Sequence, residues 1–197
     1  VKAQKVMELL RQIGDKVLIF TEYRATQEFL LSLLVQEGIR AVPYRGGFNR
    51  GKKDWMKDLF QNRAQVMVAT EAGGEGINLQ FARILFNFDL PWNPMDVEQR
   101  IGRIHRYGQN HTAQVYNLVL SDTIEGRIFL LLDEKLTEIA RTVGKVDDQG
   151  NVAEDLRAQI LGQLSERLNY DRLYQEALSD PELKRTQVEL EAALSNS

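Results

Sequence analysis

Apolar residues fall along this chain in two alternating rhythms. Val6, Leu9, Leu10 and Ile13 recur at helical spacing, and Gly14 predicts a stop before the continuous β-rich run VLIF from Val17 to Phe20. A second helix, with Phe29, Leu30, Leu33 and Leu34 on one face, is predicted to end at Gly38, and a strand from Arg40 to Tyr44 follows. Asn49 is placed to cap a third helix carrying Trp55, Met56, Leu59 and Phe60, which leads into a strand at Val66 to Ala69. A strand at Ile84 to Phe88 runs to Asn93-Pro94, a cap followed by proline at the first helical position, and the helix is predicted to continue to about Arg106. A strand from Gln114 to Leu120 and a long helix from about Thr123 to Arg141 complete the series.

Short apolar strands alternating with amphipathic helices predict an α/β fold, a parallel sheet with helices on both faces. In such sheets function gathers in loops at the carboxyl ends of the strands. The loops after Phe20, Ala69 and Phe88 meet that description. After Gly144 the pattern changes to a polar link, Asp147 to Asn151, and then to acid-rich helical segments in which Asp180-Pro181 predicts the cap and first turn of the last helix. The expected division is a sheet domain over residues 1–141 and a helical, acidic C-terminal extension over 142–197.

Composition narrows the class. With 43% hydrophobic and 27% charged residues the chain reads as soluble and globular, and no apolar run approaches the ~18 residues of a membrane span. A cytoplasmic location is the expectation. The absence of cysteine removes disulfides, thiolate nucleophiles and thiolate metal sites, and the two histidines, His105 and His111, make a poor metal site, so no metal ligands are assigned. Net charge is −3, yet from Asp147 onward there are 11 acidic and 5 basic residues out of 28 and 25, leaving +3 for the portion before it. Contacts with phosphate must therefore come from local clusters in the front portion.

Two segments carry candidate chemistry. In QRIGRIHRYGQ, Gln99 to Gln109, Arg100, Arg103 and Arg106 lie three apart, so a continuous helix would stack them on one ridge. Such a ridge is either a solvated basic face with carboxylate partners or a site for an anion that relieves the repulsion; planar guanidinium suits phosphate oxygens, and the cluster holds no lysine. In ATEAGGEGINLQ, Ala69 to Gln80, Gly73, Gly74 and Gly76 allow unusual dihedrals and close approach of a ligand, or a structural turn. The run lacks the third glycine of a dinucleotide fingerprint.

In order and spacing, TEAGGEGINL, FNFDLPWNP and QRIGRIHRYGQ resemble motifs V and VI of superfamily-two helicases, and DLPWNP with HRYGQ is similar specifically to the Swi/Snf-type DNA translocases. VLIFTEY at Val17 to Tyr23, YRGGF at Tyr44 to Phe48 and YNLVLSDTIEGRI at Tyr116 to Ile128 extend the resemblance over residues 1 to 141. It implies a RecA-like domain, the second of two that close on ATP with Mg²⁺. The first such domain would hold most of the nucleotide, and no G-x-x-x-x-G-K-[ST] loop occurs in this chain.

The same resemblance implies that Arg103 and Arg106 are arginine fingers, Gln99 a phosphate or water contact, and Gly76 and Asn78 the nucleotide side of motif V. Asn78 departs from the aspartate common there. Thr70, Arg45, Gly46 and Gly47 would touch a nucleic-acid backbone, and Trp92 would lie against a duplex, with double-stranded DNA and the first motor domain as partners. Each has a plain alternative: Trp92 in the core, Thr70 ending a strand, Arg45 a surface charge. Two other readings of the chain stay open, half of an RNA or duplex-unwinding helicase, and a non-catalytic interaction scaffold.

Overall fold

Five strands, β1 (Val17–Thr21), β2 (Ala41–Tyr44), β3 (Val66–Thr70), β4 (Ile84–Asn87) and β5 (Gln114–Asn117), form one parallel sheet in the order β2-β3-β1-β4-β5 in a computed structural model of the chain. The structure describes residues 1–70, 77–91, 93–105, 112–146, 148, 152, 154–180 and 182–195. Helices α1 (Lys2–Gln12), α2 (Arg24–Gln36), α3 (Arg50–Asn62) and α4 (Pro94–Ile101) accompany the strands, and α5 (Ile124–Thr142), α6 (Glu154–Arg167), α7 (Tyr170–Leu178) and α8 (Lys184–Ser195) follow them.

The strands read as continuous apolar runs because the sheet buries both faces, and the side-chain period of two sorts them. Leu18, Phe20, Met67, Ala69 and Leu85 point to the face where Met56 and Phe60 of α3 pack, together with Ile77, Leu79 and Ile104. Val17, Ile19, Val66, Val68, Ile84 and Phe86 point to the other, which Val6, Met7 and Leu10 of α1 and Leu30 and Leu34 of α2 cover. This is a RecA-like α/β fold.

Local chemistry sets the element ends. Asn49 accepts a hydrogen bond from the Lys52 amide at 2.8 Å, as the pattern predicted for α3. Gly38 takes φ 72° after α2, and Ile39 N–H then reaches Leu34 O at 2.9 Å, a closure that a left-handed residue makes possible. Asp180 does not open the last helix directly; Leu183 intervenes at φ 54°, and the Asp180 carboxylate accepts from Arg185 N–H at 2.8 Å.

Three further expectations need correction. Phe29 and Trp55, read as members of buried helix faces, are 55% and 60% exposed. Each lies about 100° around its helix from the neighbour that does face the sheet, Leu30 and Met56. The helix expected to reach Arg106 ends at Ile101 among the described residues, with 102–104 in turns, so Arg100 and Arg103 do not share a helical ridge.

By internal contacts the chain resolves into two compact units, Val1–Pro91 with Gln99–Leu118, and Trp92–Glu98 with Val119–Ser197. The first holds the sheet. In the second, Leu132 and Leu136 of α5, Ile160, Leu161 and Leu164 of α6, Leu173 of α7 and Leu190 of α8 make a separate helical core, against which Met95 of α4 packs. The helix from residue 124 to 142 therefore packs with the helices after it.

Candidate functional site

All five parallel strands end on the same edge, where β1, β3, β4 and β5 finish on the polar residues Thr21, Thr70, Asn87 and Asn117. Thr21 and Thr70 are register partners, both buried, and Asn87 pairs in register with Phe20 on one side and Asn117 on the other. The connections diverge here: the chain leaves β1 along the face covered by α2 and leaves β3 and β4 along the face of Ile77, Leu79 and Ile104. That divergence is a topological switch point, where open parallel sheets place ligands.

A hydrogen-bonded chain stiffens the edge. Asn87 Nδ2 donates to Asn117 Oδ1 at 2.8 Å, and Arg100 Nη1 donates to Asn87 Oδ1 at 3.1 Å and to the Asp89 carbonyl at 2.8 Å. The Asp89 carboxylate in turn accepts from Thr21 Oγ1 at 2.5 Å and from the Glu22 amide at 3.2 Å. Arg100 is 2% exposed with its guanidinium 5.3 Å from the centre of the Phe20 ring. A buried guanidinium is tolerable because these oxygens and the ring replace its water. Arg100 is thus a structural strut that ties α4 to the ends of β4 and β1.

Arg103 follows the helix and is held by its main chain. Leu79 N–H donates to Arg103 O at 2.9 Å, Arg103 N–H donates to Arg100 O at 3.1 Å, and the next residue, Ile104, is 2% exposed in the core. Two buried neighbours, Leu79 and Ile104, therefore fix the Cα of a half-exposed arginine beside the segment that follows the glycine-rich run. Gln99 is exposed on the last turn of α4. Asn78 is exposed, its Oδ1 accepting from Gln80 N–H at 3.3 Å. Gly76, Arg106 and Trp92 lie outside the described residues.

At the far side of the same edge, Arg45, Gly46 and Gly47 turn out of β2, closed by a Phe48 N–H to Arg45 O bond of 3.2 Å. Gly46 and Gly47 are exposed, and a Cβ on Gly47 would meet nothing within 4 Å. Arg45 Nη1 donates to Glu28 Oε1 at 3.1 Å, and both Arg45 and Lys52 lie over the Phe48 ring, at 5.2 and 4.2 Å. The Arg45 hydrogen bond, with Arg24 second, holds the Glu28 carboxyl below its ordinary range. Burial, with Asp54 second, pushes the Tyr44 phenol up.

Sequence reasoning did not find Asp89, Asn87, Asn117 or Gln27. Gln27 is fully buried and its Nε2 donates to Val68 O at 2.7 Å and Tyr44 O at 3.2 Å, fastening α2 to the middle of β3 and the end of β2. Its spacing to Leu30 and Leu34, three and seven residues on, was a legible signal of a buried polar position. For a triphosphate the available donors fit in kind: a positioned guanidinium, an exposed amide and open backbone. Among the described residues no group of three or more His, Cys, Asp or Glu is arranged to hold a metal ion, and no helix is long and apolar enough to cross a membrane.

This strand order, helix cover and polar carboxyl edge define a RecA-like domain of the kind found in superfamily-two helicases. The profile of the helicase conserved C-terminal domain matches residues 1–108, and the chain belongs to that family. It is 58% identical over 147 residues to the uncharacterized ATP-dependent helicase YqhH of Bacillus subtilis, covering 75% of this chain and 26% of that protein. It is 37% identical over 133 residues to the RNA polymerase-associated protein RapA of Vibrio campbellii, covering 66% of this chain and 14% of the relative. The chain thus spans about a quarter or less of these relatives. The crystal structure of the C-terminal part of the Fun30 ATPase domain superposes with a TM-score of 0.61 at 26% identity, over 84% of this chain and 54% of that one.

Proposed function

We propose that this chain is the second motor domain of an ATP-dependent DNA translocase of the Swi/Snf type, working opposite a first RecA-like domain of the same polypeptide. The observation that supports this reading is the Leu79 to Arg103 main-chain bond, which anchors an arginine of the second segment to the C-terminal end of the first, beyond its glycines. An arginine held by its backbone and left half-exposed is suited to reach a phosphoryl group presented by another domain. In this reading Arg103 and Arg106 are the fingers that meet the charge spreading over the transferred phosphoryl oxygens. Gln99 contacts a phosphate or the attacking water, and Gly76 and Asn78 lie on the nucleotide side.

ATP with Mg²⁺ is held mainly by the first domain, so the 197-residue chain by itself turns over no ATP. When bound, the nucleotide supplies the bond whose hydrolysis drives domain closure and opening. Thr70, Arg45, Gly46 and Gly47 contact the phosphate backbone of double-stranded DNA without reading bases, which suits movement over any sequence, and Trp92 lies against the duplex. The exposed Gly46-Gly47 turn leaves room for a backbone to approach. Residues 1–141 form the motor half and 142–197 the extension, in a cytoplasmic protein.

The discriminating experiment measures ATPase of the full-length protein with double-stranded DNA, single-stranded DNA and RNA. Stimulation strongest with duplex DNA supports the translocase reading. Stimulation by RNA alone assigns an RNA helicase, and no stimulation by any polymer assigns a scaffold.

A further inference from the structure

The sheet has an open side as well as a polar carboxyl edge. β2 is its outermost strand there, and α2 and α3 pack on β2 from the two opposite faces. Along the outer side of the strand lies a shallow apolar cavity of about 410 Å³, with Val35 of α2, Ala41 and Val42 of β2 and Leu59 of α3 in its lining. Val35 is aliphatic yet 72% exposed, and Trp55, one turn before Leu59 on the same face of α3, is 60% exposed. Single apolar side chains on a surface need no explanation, whereas a contiguous set beside a hollow marks a place where another molecule is received.

The rim at the amino ends of the strands is cationic. Arg40 and Arg63 line the cavity and are exposed, and among the described residues neither side chain has a hydrogen bond or an ion pair. No acidic residue lines the cavity among the described residues, and Glu37, close by in sequence, is engaged by Arg11. At the other end of α2 the arginines are compensated, since Glu28 accepts from both Arg24 and Arg45. Two uncompensated guanidiniums beside an apolar floor suit a ligand that brings carboxylates next to apolar groups.

The backbone of β2 argues against an added strand as that ligand. The Arg40 carbonyl accepts from the Gln65 and Val66 amides at 3.0 and 3.2 Å, so it faces β3, and the alternation of the ladder turns Ala41 and Pro43 outward. Pro43 has no N–H, which leaves the outer side of β2 one donor, at Ala41. An amphipathic helix needs no such ladder, because it lays its apolar face into a groove through side chains alone. The four residues of β2 span roughly 13 Å, the length of about two and a half helical turns.

We infer that the groove beside β2 is a docking site for an acidic amphipathic helix of a partner protein, with apolar anchors over Val35, Ala41 and Leu59 and carboxylates toward Arg40 and Arg63. The site lies toward the amino ends of the strands, and an occupant there leaves the carboxyl edge open.

The test selects binders to the full-length protein from a display library of random peptides about 16 residues long, near the length at which isolated helices begin to form, and measures their affinity by fluorescence anisotropy. The enriched sequences are expected to be acidic, with apolar residues at helical spacing. Their Kd is expected to rise on the order of 10-fold or more with Arg40→Glu plus Arg63→Glu, and also with Val35→Lys. The same change of charge made outside the lining, Lys5→Glu plus Lys184→Glu, keeps Kd within about twofold. All of these positions are exposed, so the variants read binding and not folding. Enrichment of basic sequences, or of alternating strand-like ones, overturns the proposal, as does equal weakening by the two charge-reversal pairs. Failure to enrich any peptide overturns it too. So does sedimentation of the protein as a dimer that Val35→Lys dissociates, which gives the groove to a second copy of the chain.

Discussion

Arg100 and Arg103, three residues apart, have opposite assignments that their surroundings dictate. Arg100 donates inward to Asn87 and to the Asp89 carbonyl, and replacing it by alanine strands those oxygens in a dry part of the fold. The expected cost is about 3 kcal/mol, seen as a lowered denaturation midpoint in urea with unchanged slope; a loss below about 0.5 kcal/mol would show that water replaces the guanidinium freely. Among the described residues the Arg103 side chain makes no hydrogen bond or ion pair, and Arg103→Ala is expected to leave the midpoint nearly unmoved. At the other side of the edge, Glu28 has its carboxyl pKa lowered by Arg45 and then Arg24. A depressed carboxylate contributes its stabilisation above its ordinary range and loses it as pH falls through the lowered folded value. Carboxyl NMR titration should therefore place the Glu28 midpoint below that of exposed glutamates, and Arg45→Ala should raise it; an unmoved midpoint contradicts the pairing.

At the scale of elements, the strands were the most legible part of the chain. Buried on both faces, they left uninterrupted apolar runs that no tertiary contact could disguise, and β1 and β3 differ from the expected bounds by a single threonine each at the C-terminal end. Helix ends were legible where a cap acts locally, as at Asn49, Gly38 and Thr123. They were illegible at Ile101, where the helix stops because Ile104 turns into the core and Leu79 takes the Arg103 carbonyl, contacts made across sequence. Helix faces were read too generously: Trp55 and Phe29 are apolar but exposed, and hydrophobicity alone does not say which side of a cylinder a residue occupies. Gly126 shows the converse, a requirement invisible in the pattern. A Cβ there would lie 2.1 Å from Leu120 O, just where Thr123 Oγ1 accepts from Gly126 N–H at 3.1 Å. Gly126→Ala must therefore push apart the turn that starts α5. It is expected to cost about 1–3 kcal/mol by thermal or urea unfolding, and an unperturbed variant would contradict the close approach.

For the whole molecule, the class of fold and the family followed from motif order, while the network around Arg100 needed three dimensions. Asp89 and Asn87 read as ordinary loop and strand-end residues in FNFDLPWNP, and their role comes from Thr21 and Arg100, which are distant in sequence. What the fold supplies is a rigid edge on which a few exposed groups are held still, and the proposed motor uses that rigidity to carry Arg103 to a nucleotide bound elsewhere. The most direct measurement is DNA-stimulated ATP turnover by the full-length protein carrying Arg103→Ala, with nucleotide binding measured alongside. The account predicts that kcat falls by about 10³-fold or more while ATP still binds. Turnover near that of the unaltered protein would contradict it.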